Sequence, residues 1–506
     1  MPEYLPDIII NGIKPTDYEQ LLGDTLRVNP EIKYGDLAAN FTFKWFKSGS
    51  TDYYVVSDKP QLSYVLDTLG ASIFRLEVTN TETGVMSFRN FQVQVTGRAA
   101  NRGLYILKEN EEGNTDMDAL FITDQENRMA RDLISIAYAG PMLGKPVGIG
   151  FTDSYKYFYT AETSENLLNR TVKIMQLVSE KDLLLYRPLE EEVAKNTANA
   201  FFNPAAGRAP AFTGMMATPN QSIVVNNGLL YTLQRTSSAY QDPASGTYQL
   251  SPYFTLRQKI NWDDSGNNLL GFDNASSSFV FIRYGKTEVL KFPDVYLGEK
   301  GQTDHIKISS NNMDGKISFL ENTNGHLDTV RSAEHTRAYA IFHPNQSPNE
   351  VRLLGLNMAE LNQWTHNGTH SPIRSSVAIS NSAFQTASLY TLHKKMPVLY
   401  FANNNTVSSY HIDDKTWLID RYTFPADEQI TFMKYLNCDY SNDSYKVNHL
   451  YIATYKAGNY KLYKFSTANN TLVQDGTPLE GKGKIKTILY MSPDASGMMN
   501  GISTYY

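Results

Sequence analysis

The chain has 506 residues, 41% hydrophobic and 12% aromatic, with a formal net charge of −6. That length and apolar content exclude a disordered chain and a single small core, and call for two or more domains or a repeat array joined to a module. The acidic balance, without a basic aromatic cluster, excludes a nucleic-acid surface, and no apolar run approaches the ~20 residues of a membrane-spanning helix.

Taken in chain order, the opening "MPEYLPDIII" lacks the charged-then-apolar layout of a secretion signal. Residues 1–97 then carry short β-branched and aromatic stretches ("TLRVNPEIKY", "FTFKWFKSG", "DYYVVSD", "QLSYVLDTLGASIFRLEVTN", "MSFRNFQVQVTG") separated by Gly, Asn, Asp or Pro turn signals. They predict an all-β, Ig-like sandwich of about 90 residues. Trp45 is expected in its core, facing Ile73, Leu76 and Val78.

From residue 98 the texture changes. An aromatic-aliphatic strand recurs at 104–108, 157–162, 230–235, 279–284, 339–344, 399–404 and 450–455, each followed after a polar turn by a second strand: "DALFIT", "TVKIMQL", "GTYQLSPYF", "EVLKF", "EVRLLGL", "VSSYHID" and "YKLYKF". Most are preceded by a further apolar strand, as at 133–138, 222–226, 384–390 and 430–436. A repeat of roughly 50–60 residues with about four short strands is the signature of a β-propeller blade. Seven hairpins predict seven blades over residues 98–506.

The segment 483–493, "GKIKTILYMSP", has no hairpin after it, while the hairpin at 104 has no clear strand before it. Pairing of the two would close the array and remove its exposed sheet edges. In "LYIATY" (450–455), Leu450, Ile452 and Thr454 alternate with Tyr451, Ala453 and Tyr455, so both faces are mostly apolar, as a strand packed between two neighbouring sheets requires. Most of the 33 tyrosines are accordingly expected in packing between blades. Cys438 is the single cysteine, which leaves no disulfide and no cysteine-based zinc set, and it reads as a buried structural thiol.

Two connections are long. Residues 188–216 begin with an acidic run expected to form a short helix ending before Pro204, and 362–382 contain Trp364, His366 and His370. The search for chemistry finds no complete Ser-x-Asp-x-Gly-x-Thr-Trp turn, no Gly-x-Ser-x-Gly elbow and no phosphate-binding glycine loop. "NWDDSGNN" (261–268) lacks the alternating carboxylates of a calcium loop. His366 and His370 are four apart but straddle Gly368 ahead of Pro372, so they do not share a helix face. No catalytic residue, metal site or cofactor is assigned. Trp262 and Trp364, outside the recurrent strands, and His366 beside the second are the candidate ligand contacts, since flat rings stack on sugar faces or peptide side chains. Trp417 alternates like a blade strand and is placed in the core.

A sandwich carrying "YVLDTLGASIFRLEVTN" ahead of such an array resembles the PKD-like surface lipoproteins of Bacteroidota, found beside SusC/SusD-type importers; the Leu-Asp-x-x-Gly-x-x-x-x-Arg-Leu-x-Val-Thr pattern at 66–79 carries the resemblance. The family implies display on the extracellular face of the outer membrane, with a membrane link only through a lipid anchor on an N-terminal cysteine that this sequence lacks. It also implies a non-catalytic accessory role, binding an oligosaccharide or oligopeptide in partnership with a SusC/SusD-type transporter complex. The alternatives are a propeller glycoside hydrolase or lyase acting on a surface polymer, and a purely structural subunit of the transporter.

Overall fold

The computed structural model describes residues 6–15, 18–21, 24–35, 38–48, 52–66, 70–96, 103–122, 127–156, 171–188, 192–202, 209–217, 221–234, 239–240, 249–256, 269–282, 288–294, 308–323, 337–357, 371–438, 447–467, 471–493 and 502–505. The chain is all-β apart from two short helices among these residues, and it divides into two compact units, one containing Met1–Asn101 and the other Arg102–Arg187 with Glu192–Tyr506.

In the first unit a five-stranded sheet runs in the order Tyr18–Leu21, Met86–Thr96, Gly70–Asn80, Phe41–Ser48, Tyr53–Ser57. Two strand pairs, Ile8–Asn11 with Glu31–Tyr34 and Thr25–Val28 with Leu62–Val65, complete the set. One cluster joins them: Ile8, Leu26, Val28 and Leu62 from the pairs meet Trp45, Phe74, Leu76, Val78, Phe91 and Val93 from the sheet. Trp45 is fully buried, donates its indole N–H to the Lys59 carbonyl at 2.8 Å and meets Phe91 edge-on at 6.2 Å. Its expected partner Ile73 is misplaced: strand alternation sends Phe74, Leu76 and Val78 inward, and residue 73, of opposite parity, is 43% exposed. Trp45→Ala is expected to destabilise this unit by about 3–5 kcal/mol, through the cavity it leaves, read as a lowered urea midpoint of the intact chain.

The described part of the second unit holds seven antiparallel sheets. The first joins distant segments in the order Asn127–Ala130, Thr115–Ile122, Gly103–Glu109, Lys484–Pro493, Ile502–Tyr505, with Leu104 opposite Tyr490 and Ile106 opposite Ile488. The others follow in sequence and begin with the leading strands Pro146–Lys156, Phe212–Ala217, Leu250–Leu256, Gly315–Asn322, Leu389–Leu392 and Gln429–Cys438. Each leading strand contacts the next, and Lys484–Pro493 contacts both Pro146–Lys156 and Gln429–Cys438.

Residue parity explains the stacking. Leu450 and Ile452 pack with Tyr400, Ala402 and Val407 of the sixth sheet, while Tyr451 and Ala453 pack with Leu104, Ile106 and Ile488 of the first. The fifth sheet divides likewise: Ala338, Ala340 and Phe342 face the fourth sheet, Tyr339 and Ile341 the sixth. Trp417, half-buried, stacks on Tyr410 at 4.1 Å and meets Phe384 and Phe401 edge-on. Two hairpins close through two-residue turns with both φ positive, Asn227 (52°) with Gly228 (77°) and Ala457 (47°) with Gly458 (85°), the form whose twist matches paired strands.

Several expectations fail for local reasons. "LISIAY" is not a strand: Leu133–Ala137 is helical, because the buried Asp116 carboxylate accepts the N–H groups of Ile134 (3.1 Å) and Ser135 (3.3 Å). Where a short helix was expected in the 188–216 connection, Glu192–Asn196 is a strand paired with Leu183–Arg187, and Glu192 binds Arg187 at 2.7 Å; residues 189–191 lie outside the described residues. "GTYQLSPYF" does not close a hairpin with Leu229–Gln234, since Leu250–Leu256 leads the fourth sheet and pairs with Leu269–Asp273. "FQTASLY" splits into the helix Ser382–Gln385, capped by the Asn381 side chain, and the strand Leu389–Leu392. Residues 157–162 lie outside the described residues; the strand paired with Thr171–Ser179 is Pro146–Lys156. The Cys438 side chain also lies outside the description.

Candidate functional site

The leading strands of the fifth, sixth and seventh sheets bring an ionic cluster together. Glu321, near the end of Gly315–Asn322, accepts hydrogen bonds from Lys434 Nζ (2.7 Å), Lys394 Nζ (3.3 Å), Thr391 Oγ1 (3.3 Å) and the Leu392 N–H (3.0 Å). Lys394 also donates to the Asn322 carbonyl at 3.2 Å. Only 5% of the Lys394 side chain and 13% of that of Glu321 are exposed, against 24% for Lys434. Burial opposes ionisation of Glu321, yet the two ammonium groups and the Leu392 N–H bring its pKa down to about 2. Burial dominates at Lys394 instead: attraction by Glu321 is offset further by repulsion from Lys434, and its pKa falls to about 8.

A tight connection fixes Lys394. The neighbouring His393 accepts the N–H groups of Lys395 (3.0 Å) and Met396 (3.2 Å) at Nδ1, which places the ring proton on Nε2, toward Thr467 Oγ1 at 3.4 Å. Burial, then the nearby Lys395 and Lys394, push His393 down to about 3, so the ring is neutral and serves as a brace for the turn. Its ring centroid lies 4.1 Å from that of Tyr435, the planes tilted by 34°, and the Tyr435 hydroxyl bonds Asn448 (3.0 Å) and Thr467 (3.1 Å). An ionised Glu321 and a neutral, doubly engaged His393 can orient and neutralise a ligand; neither is poised to donate a proton at neutral pH.

A second ionic network joins the seventh sheet to the first. Asp118, fully buried, binds Lys108 at 2.6 Å, Arg131 at 2.8 Å and the Tyr460 hydroxyl at 2.8 Å, and accepts the Asp132 N–H at 3.0 Å. Arg131 and Tyr460 cross so close to Gly481 that no Cβ fits there. Beside it lies a cleft of about 280 Å³ lined by Glu428, Thr454, Lys456, Tyr460, Lys461 and Glu480, among others. The Glu428 carboxylate there is fully engaged by Thr454 (2.7 Å), Lys461 (2.9 Å) and Tyr463 (3.1 Å). Both networks brace sheets.

The sequence candidates Trp262, Trp364 and His366 lie outside the described residues, as does His370. The strand ends that flank two of them are placed by register. Asn322 pairs with Ala338, and Arg337 with Asn357, so the end of Val351–Asn357 that precedes Trp364 and His366 shares the edge of the fifth sheet that carries Glu321. The glutamate and both lysines escaped the sequence search. For Glu321 and Lys434 the signal is a lone charge within an apolar leading strand, as in "ISFLEN" and "FMKYL"; Lys394 lies in the turn after its strand, beside Lys395, and gives no such signal. Among the described residues no group of three or more His, Cys, Asp or Glu is arranged to hold a metal ion, and no helix is long and apolar enough to cross a membrane.

Residues 3–146 match the PKD-like family. The match spans the first unit and enters the first two sheets of the second. Curated proteins contain no match. Similar solved structures include a quinonprotein alcohol dehydrogenase-like protein of Bacteroides thetaiotaomicron, with 11% identity and a TM-score of 0.42, covering 96% of this chain and 99% of that one. The extracellular domain of a one-component system from the same species has 9% identity and a TM-score of 0.34, covering 96% and 69%. The WD40 domain of SCAP from fission yeast has 10% identity and a TM-score of 0.34, covering 70% and 81%.

Proposed function

We propose that this chain is a non-catalytic accessory lipoprotein of the bacterial cell surface that binds an oligosaccharide or oligopeptide nutrient and works with a SusC/SusD-type outer-membrane importer. In this reading the PKD-like unit is a stalk or docking module, and the second unit is the binding platform, a seven-bladed propeller closed by the pairing of Gly103–Glu109 with Lys484–Pro493. The observation that carries it is the combination of a PKD-like N-terminal match with an array of antiparallel sheets whose ionic cluster shares an edge with the strand end leading to Trp364 and His366. Ligands commonly bind where connections gather at one edge of a rigid scaffold.

Affinity electrophoresis through gels containing candidate polysaccharides or immobilised peptides tests it. The intact protein is expected to be retarded without releasing new reducing ends or free amines. Trp364→Ala or Trp262→Ala is expected to restore mobility, each ring being worth about 1 kcal/mol or more of stacking. Product release abolished by one carboxylate substitution would establish a hydrolase instead. Stable co-purification with the transporter and no retardation on any ligand would leave a structural subunit.

A further inference from the structure

The cluster at the leading strands holds two cations against one anion. Lys394 and Lys434 share the single carboxylate of Glu321, and among the described residues no second carboxylate lies within ion-pair distance of either. Both ammonium groups are largely removed from water, where an unbalanced charge is costly unless a counter-charge arrives. Lys394 is sealed by Glu321 and the Asn322 carbonyl. Lys434, the more exposed, is the group an incoming oxygen can reach.

A chain of neutral hydrogen-bonding groups starts at His393, the residue before Lys394. His393 Nε2 meets Thr467, Thr467 meets the Tyr435 hydroxyl, and that hydroxyl and the Asn437 amide (3.1 Å) both bond Asn448. Asn448 is exposed and Thr467 half-buried. Hydroxyls and amides that both donate and accept complement the hydroxyls of a sugar ring, whereas bound peptides are read mainly through backbone pairing or apolar anchors.

We propose that this cluster is an anion subsite in which Lys434, backed by Lys394, takes the carboxylate of an acidic, uronic-acid-bearing oligosaccharide. The proposal rests on the binding function above and narrows its ligand class. The ligand carboxylate supplies the missing counter-charge, and Glu321 fixes both ammonium groups in advance, so little ordering is left for binding. A neutral chain would leave the excess charge unanswered.

Titration calorimetry of the intact protein tests this with three probes: a galacturonate hexamer, neutral maltohexaose and hexaglutamate. The galacturonate hexamer is expected to bind about tenfold or more tighter than maltohexaose, and its affinity to fall as salt rises. Lys434→Gln is expected to remove about tenfold of that affinity and Lys434→Arg to keep most of it. The wild-type comparison of probes stands even where a variant folds poorly. Equal binding of the neutral hexamer, or an unchanged Lys434→Gln variant, overturns the anion subsite and leaves the binding function intact. Tighter binding of hexaglutamate overturns the sugar assignment. Heat from none of the three overturns the subsite; retardation on other neutral ligands would then still sustain the broader function.

Discussion

Asp118→Ala is expected to lower the stability of the second unit by roughly 3–5 kcal/mol, the cost of breaking a buried ion pair from one side. The Lys108 ammonium, with 3% of its side chain exposed, would keep only Asp132, whose own side chain is 57% exposed. Arg131 and the Tyr460 hydroxyl would lose their shared acceptor, leaving the brace between the first and seventh sheets to the hydrogen bonds of Arg131 with Tyr460 (2.7 Å) and the Glu480 carbonyl. Burial alone would raise the pKa of Asp118, but Lys108, the Asp132 N–H and Arg131 hold it below its ordinary value. Its stabilisation is therefore present above an unfolded-state pKa of about 3.9 and lost as pH falls through the lower folded value. Guanidinium unfolding should give a wide gap between wild type and variant at neutral pH that narrows in acid. Coincident curves at neutral pH would remove the network from any account of stability.

Glu321→Ala is expected to be as damaging, again roughly 3–5 kcal/mol, because two neighbouring ammonium groups lose their one counter-charge. Here the gap between wild type and variant narrows toward high pH instead of toward acid. Lys394 already titrates at about 8 with Glu321 in place, and the variant would depress it further. Where a folded amine has the lower pKa, the unfolded chain binds more protons and stability rises with pH. The variant should thus recover at a lower pH than the value of about 8 at which Lys394 loses its proton with Glu321 in place, so the two stabilities converge as pH rises through that value. Adding Lys394→Met should return much of the loss at neutral pH. A Glu321→Ala variant with a flat profile would mean that water, not Glu321, solvates the lysines.

Much of the architecture was legible because apolar parity is local. "LYIATY" carries two apolar faces in six letters, and those faces enter two different clusters. Residues 483–493 could be matched to 104–108 because each lacked a neighbour, and they pair in the structure. What failed was set by partners that pattern does not encode. The helix at Leu133–Ala137 depends on the Asp116 carboxylate, a separate strand's contribution, and the neighbour of Leu250–Leu256 was decided by sheet membership and not by proximity in the chain. At Ile73 the error was one of parity alone. The ionic cluster was hidden by distance: Glu321 meets Lys394 at a separation of 73 positions and Lys434 at 113, so no spacing rule connects them.

The first sheet of the second unit imposes an order of manufacture. Asp118 and Tyr460 stand 342 positions apart, and the strand that pairs with Gly103–Glu109 is made later still. At translation rates of about 5–20 residues per second, Gly103–Glu109 leaves the ribosome on the order of 20–70 s before its partner exists. The PKD-like unit can complete its core in that interval. Gly103–Glu109 must wait with one hydrogen-bonding edge unfilled, the state in which an unpaired strand is most open to mispairing with another chain.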